Sequence, residues 1–289
     1  MKFNIPTLDI KLTNRCNYEC EYCYGESDQQ IDISIGTFLN ALNLAKVIGV
    51  KYLEFCGGEP LLHSKFEKFT NLARQEGFNL ILRTNGILIE EYADVISKNF
   101  EWVGVSLDGI EKVNDIMRKS KGKLTPKEKF IIPINNIRLL KKKNSRLKIL
   151  FASLASAINY QELPLLTDYI LKKKLPIDLW KIYLFRPKRQ RASSNKDKFY
   201  LSEKKFESLR KTINIKKLQN ELGIKTIFGS GSVNSGECLL VSPNGNLSVG
   251  SNKIAHINKQ SISEIKSILS NLKEEKRIAT NKKVTYLSG

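Results

Sequence analysis

The recurrence of short apolar segments separated by helical ones constrains this chain more than any other feature of it. Leu8, Ile10 and Leu12 alternate with Asp9, Lys11 and Thr13, the two-residue period of a strand that buries one face. A helical stretch then opens at Ser34, takes its apolar positions from Phe38, Leu39, Leu42, Ala45 and Val47, and stops at Gly49. The pattern continues with strand Tyr52–Cys56, helix Phe66–Glu76, strand Phe78–Thr84, helix Leu88–Lys98 and strand Trp102–Leu107. After a basic helical region come strand Leu147–Leu154, helix Tyr160–Lys174 and strand Leu179–Phe185. Strands joined by helical crossovers predict a parallel sheet with helices outside it. Six such units are too few for a closed eight-stranded barrel, so the expected fold over residues 1–187 is α/β, an open partial (βα)6 barrel.

Beyond Pro187 the pattern changes. Lys188–Lys198 is polar and basic and reads as a mobile loop, Ser202–Leu218 as a helix, and Ile224–Phe228 as a short strand. Glu237–Ser242 and Asn246–Gly250 flank Pro243-Asn244-Gly245, a hairpin signal, and Ile262–Leu272 reads as a last helix. Residues 188–289 are therefore expected to form a small α+β extension that closes the barrel mouth.

The first strand runs directly into Arg15–Gly25, RCNYECEYCYG, with Cys16, Cys20 and Cys23 in a C-x3-C-x2-C array. Three thiolates so near in sequence can converge on one centre, and soft sulfur donors suit iron–sulfur clusters or zinc. Zinc usually closes its tetrahedron with a second pair of ligands, and no such pair follows here. A cubane cluster normally takes four Cys, so three leave one iron open for chemistry. At the end of the second strand stands Gly57-Gly58-Glu59-Pro60, whose paired glycines allow a backbone to approach a ligand closely and whose proline stiffens the exit. Asn85-Gly86 ends the third strand, and Ser106-Leu107-Asp108-Gly109 the fourth. With Leu53, Phe55, Val103, Val105 and Leu107 facing the helices, Glu54, Cys56, Gly104, Ser106 and Asp108 point into the barrel, a polar interior that suits a bound ligand.

The cysteine loop, with Tyr22 just before its last Cys, and the GGEP turn after the next strand resemble the two signatures of radical S-adenosylmethionine (SAM) enzymes. The resemblance covers about Leu8–Phe185 and implies the partial-barrel fold. It implies a [4Fe-4S] cluster on Cys16, Cys20 and Cys23, and SAM on the open iron. SAM would be bound by Tyr22, Gly57, Gly58, Glu59, Pro60, Asn85, Ser106 and Asp108. Reductive cleavage of SAM would give methionine and a 5′-deoxyadenosyl radical, with flavodoxin or ferredoxin as electron donor.

Substrate contacts are expected from the sixth strand and its exit, where Lys181 and Tyr183 share a face and Arg186 follows. Cations there suit an anionic substrate such as a nucleotide. The Trp180-Lys181 pair and the cysteine-poor C-terminal part are loosely similar to the viperin group of nucleotide-dehydrating enzymes, from which Ser106-Leu107-Asp108-Gly109 departs. A maturase of a peptide or natural product is the alternative, and a zinc-stabilised nucleic-acid module is the alternative outside enzymes. The formal charge of +19 fits the last, with its densest run at Arg118–Lys148, although solvated helix faces account for lysines equally well. No apolar run approaches a membrane span and residues 1–9 lack the apolar core of a signal peptide, so a cytoplasmic protein is expected. Cys56 is read as a small residue lining the SAM pocket, Cys238 as a lone thiol that argues against auxiliary clusters, and His63 and His256 as packing or surface residues.

Overall fold

The computed structural model describes residues 5–25, 30–229 and 238–274. From β1 (Thr7–Thr13) the chain passes through α1 (Ile35–Ile48), β2 (Tyr52–Gly57), α2 (Phe66–Gln75), β3 (Asn79–Thr84), α3 (Ala93–Asn99) and β4 (Trp102–Ser106). Next come α4 (Glu111–Met117), α5 (Pro126–Lys143), β5 (Lys148–Ala155), α6 (Leu163–Lys173) and β6 (Leu179–Leu184). The rest holds α7 (Gln190–Ser194), α8 (Lys196–Phe199), α9 (Glu203–Thr212), α10 (Ile215–Leu222), β7 (Lys225–Gly229), β8 (Leu239–Val241), β9 (Asn246–Val249), β10 (Asn252–His256) and α11 (Ile262–Glu274). Among the described residues no helix is long and apolar enough to cross a membrane. The elements gather into two compact units.

The first unit contains β1–β3, β8–β10, α1, α2 and α11. β1 runs parallel to both β2 and β8, with Leu8 in register with Leu53 and Leu239, and β9 pairs antiparallel with β8 and β10. Alternate residues Leu8, Ile10, Leu12, Leu53, Phe55, Leu80 and Leu82 are fully buried. Phe38 of α1 stacks on Phe69 of α2 at 4.3 Å and meets Phe55 edge-on at 5.8 Å. Helix α1 starts where the Ser34 side chain accepts from Thr37 N and ends at Gly49, whose φ of 77° is the left-handed cap that glycine takes without strain. Leu39 and Val47, expected among its apolar positions, are exposed instead, because the helix turns a different stripe inward.

His63 is buried in this unit, against the Phe69 ring. Its Nδ1 accepts from Lys65 N at 3.0 Å, so Nε2 carries the proton toward Ile33 O at 3.2 Å. Burial holds its pKa below the usual imidazole range, against the pull of Asp32. The unfolded chain therefore takes up a proton first as pH falls through about 6.5, and stability is expected to drop there. A thermal-denaturation series from pH 7.5 to 5.5 should show the loss, and His63→Asn, which keeps an acceptor for Lys65 N, should flatten it; parallel slopes would contradict the assignment.

The second unit contains the cysteine loop, α3–α10 and β4–β7, its strands parallel in the order β4-β5-β6-β7. Val103, Val105, Ile149, Phe151, Trp180 and Ile182 form its buried strand face, and Trp180 Nε1 donates to Ser153 Oγ at 3.0 Å. A capping box between Thr125 and Glu128, with Pro126 in the first turn, starts α5. Three expectations fail here. The helix read over Leu88–Lys98 begins as a 3-10 turn, Glu90–Tyr92, before α3. The loop read over Lys188–Lys198 folds into α7 and most of α8, because Ala192 and Phe199 bury themselves with Met117 and Phe185. The helix read over Ser202–Leu218 breaks at Asn214, whose side chain accepts from Lys217 N and so caps a new helix, α10.

Candidate functional site

In the first unit, β1 and β2 end side by side, and the Gly57–Pro60 turn is fastened to the last residues of β1 and the two that follow. Gly58 N donates to Thr13 O and Glu59 N to Arg15 O, each at 2.8 Å. Gly57 has φ +146°, and a Cβ on it would lie 2.4 Å from Thr13 O; one on Gly58 would lie 2.1 Å from Arg15 O. Only glycine lets these backbones meet so closely. Glu59 is fully buried, and its carboxylate accepts from Leu61 N, capping the 3-10 turn that Pro60 opens. Arg15 is fixed by Asp32 at 2.8 Å and by Leu62 O at 2.8 Å, and its C-terminal neighbour in the chain is Cys16.

The other face of these strands is polar. Asp9 lies in register with Glu54, Lys11 with Cys56, and Arg83 pairs with Glu54 at 3.0 Å. Burial, then the charge of Glu54, raises the Asp9 pKa well above the usual carboxylate range, with Arg83 opposing. Burial also pushes the Cys56 thiol up, helped by Asp9 and Glu54. Cys56 is thus a neutral group among charges. Cys238 is exposed.

In the second unit, Cys16, Cys20 and Cys23 are free thiols on one tight loop, closed by Cys23 N donating to Cys20 O at 3.1 Å. Backbone amides point at two of the sulfurs: Tyr18 N at Cys16 Sγ, 3.4 Å, and Gly25 N at Cys23 Sγ, 3.2 Å. Burial pushes the Cys20 thiol up to about 12, with Arg118 opposing and Cys23, Asp108 and Cys16 adding to the rise. A thiol so placed becomes a thiolate when a metal replaces its proton. Three thiols within electrostatic reach of one another, two with amides aimed at sulfur, make a donor set that fits an iron–sulfur cluster, where each thiolate takes its own iron. Among the described residues no three His, Cys, Asp or Glu side chains gather around a single point as one metal ion would need.

Asn85 donates to Asn17 Oδ1 at 2.6 Å and accepts from Ile87 N, which ties the Asn85–Ile87 turn to the cysteine loop within the second unit. Ser106 is half-buried at the end of β4. Asp108 is buried, and accepts from Tyr22 Oη, from Arg118 Nη1 at 3.0 Å and from Leu154 N at 2.6 Å. Arg118 is the residue that the sequence reading missed, having been counted within a basic run. Of that run, Lys121, Lys129, Lys141, Lys143 and Lys148 also form ion pairs with acidic residues of the same unit.

Lys181 and Tyr183 occupy the half-buried face of β6, opposite Trp180 and Ile182, with Lys181 Nζ 4.7 Å above the Tyr183 ring. Each has one small and one large neighbour in register: Lys181 stands between Ala152 and Ile227, and Tyr183 between Leu154 and Gly229. Arg186, beyond the strand end, is turned to Glu203 at 2.7 Å.

Comparison with known proteins follows the same lines. The model of the radical SAM superfamily matches residues 10–150. A Selenomonas ruminantium protein described as an S-adenosylmethionine-dependent nucleotide dehydratase is 33% identical over 107 residues, which are 36% of this chain and 39% of that one. A probable GTP 3′,8-cyclase of Archaeoglobus fulgidus is 35% identical over 111 residues, 37% of each chain. The match thus spans about two fifths of the length of these relatives. Streptococcus suis SuiB, solved bound to its precursor peptide SuiA, superposes with a TM-score of 0.73 at 15% identity, over 99% of this chain and 70% of that one. The likeness shows the fold, the α/β open partial barrel with a largely parallel sheet.

Proposed function

This chain belongs to the radical SAM superfamily, and from that premise we propose that it abstracts a hydrogen atom from an anionic small molecule, a nucleotide in first place. Membership sets aside the zinc-stabilised nucleic-acid module. The family's cofactors are a [4Fe-4S] cluster and SAM, which when bound supply a 5′-deoxyadenosyl radical. Cys16, Cys20 and Cys23 are the residues to hold the cluster, and Tyr22, Gly57, Gly58, Glu59, Pro60, Asn85, Ser106 and Asp108 those assigned to SAM. Flavodoxin or ferredoxin is the proposed electron donor. What the chain itself contributes is position and the exclusion of water.

The observation that carries the substrate reading is Lys181 over Tyr183 on the half-buried face of β6. A half-buried ammonium attracts an anion, and the ring beneath it both orients the cation and offers a stacking surface. The nucleotide-acting relative points the same way. Arg186, held by Glu203, is assigned to the entrance rather than to the first contact.

The test offers ATP, CTP, GTP and UTP in turn to the reduced, reconstituted protein with SAM. At least one is expected to stimulate 5′-deoxyadenosine formation, and Lys181→Met to lower kcat/KM for it by about 10–100-fold, the loss of one charge-assisted contact of ~1.5–3 kcal/mol. No stimulation by any of the four would overturn the nucleotide reading in favour of the peptide or natural-product maturase.

A further inference from the structure

Arg118 carries its charge into the cysteine loop. Its Nη1 donates to Tyr22 Oη at 2.8 Å and to Asp108 Oδ2 at 3.0 Å, and its guanidinium lies 5.6 Å from the centre of the Tyr18 ring. Tyr18 and Tyr22 alternate with the three cysteines, so the cation sits between aromatic groups of the loop itself. The backbone around it is bound to the same loop: Glu19 N donates to Lys119 O at 2.6 Å, and Lys121 N to Asn17 O at 3.0 Å.

The counter-charge is equally fixed. Asp108 N donates to Asn114 Oδ1 at 3.0 Å, and Asn159 Nδ2 donates to Asp108 O at 2.6 Å. Both asparagines are fully buried. Asp108 is thus held at its backbone by two buried asparagines and at its carboxylate by Leu154 N, the kind of fixing that a preorganised electrostatic group requires. Arg118 meets the loop at two of its rings, Tyr18 and Tyr22, and Asp108 meets it at Tyr22.

We propose that Arg118 is a positioning residue that sets the reduction potential of the cluster on Cys16, Cys20 and Cys23, its fixed cation favouring the reduced form. This rests on the radical SAM reading of the site. Reduction adds an electron to a group already anionic through its thiolates, and a cation in a low-dielectric setting stabilises the added charge. Asp108 acts in the opposite direction, as the fixed anion that limits the effect.

The test is an EPR-monitored redox titration of the anaerobically reconstituted full chain, with iron and acid-labile sulfide measured in each sample. At a fixed applied potential, Arg118→Met is expected to lower the reduced-to-oxidised ratio about tenfold, which is about 59 mV for a one-electron couple. Arg118→Lys should restore most of it, and Asp108→Asn should shift the ratio the other way. Arg118→Met and Asp108→Asn titrating with the wild type, or both shifting the same way, would overturn the proposal. So would loss of the cluster from both, which would make the pair a scaffold only. A wild-type protein that takes up no iron and sulfide would overturn the cluster itself, a failure seen before any variant is compared.

Discussion

Replacing Gly58 with alanine is expected to cost about 3 kcal/mol or more of stability and to lower Tm by roughly 5–10 °C. The Cβ would stand 2.1 Å from Arg15 O, 2.6 Å from Arg15 C and 2.8 Å from Asn14 O, all backbone atoms. No side chain can swing aside to make room. Relief requires the end of β1 and the turn after β2 to part, which breaks the bonds from Gly58 N to Thr13 O and from Glu59 N to Arg15 O. The same movement would displace Arg15, and with it the start of the cysteine loop at Cys16, so cluster uptake should fall together with Tm. Gly122→Ala is the control, since a Cβ there meets nothing within 4 Å and the change should stay within about 0.5 kcal/mol. Equal melting curves for the two variants would show that the close approach is not needed.

Cys20→Ala is expected to abolish cluster uptake, with acid-labile sulfide falling at least about tenfold, since three thiolates are already one fewer than a cubane normally receives. Cys20 is buried and closes the turn to Cys23, so it cannot be replaced by a thiol from elsewhere. Cys56 lies on β2 in register with Lys11, and Cys238 is exposed. Because alanine is smaller and uncharged, the apo fold should survive, and Tm of the metal-free protein should change by no more than about 2 kcal/mol allows. Wild-type sulfide content in the variant would remove the assigned ligand role.

Much of the fold could be read from residue periodicity, because the central strands bury one face completely and turn polar groups to the other. Leu8, Ile10, Leu53 and Phe55 against Asp9, Lys11, Glu54 and Cys56 is that alternation in two strands. The segments that escaped are those in which few residues decide the outcome. Ala192 and Phe199 convert a run of cations and serines into two short helices, and β10, Asn252–His256, is held by backbone pairing to β9 with little apolar burial. Asn214 splits a helix that its neighbours would have continued.

At the site, cysteine and glycine spacing carried the reading, since each has a local physical requirement that shows in sequence. The network of Tyr22, Asp108 and Arg118 does not, because its members lie 86 and 10 positions apart and meet only through the fold. A lysine-rich neighbourhood hid Arg118, which pairs with Asp108 and Tyr22. Asn114 and Asn159 were invisible for the same reason, each serving the backbone of Asp108 from another element.

The central claim, that the three-cysteine loop supports reductive cleavage of SAM, is tested most directly by incubating the reconstituted protein with SAM and dithionite under anaerobic conditions and quantifying 5′-deoxyadenosine. The account predicts that it forms with the wild type, depends on the reductant, and is absent with Cys20→Ala. A wild-type protein with full iron and sulfide that forms none, or a Cys20→Ala variant that forms it at the wild-type rate, would contradict the account.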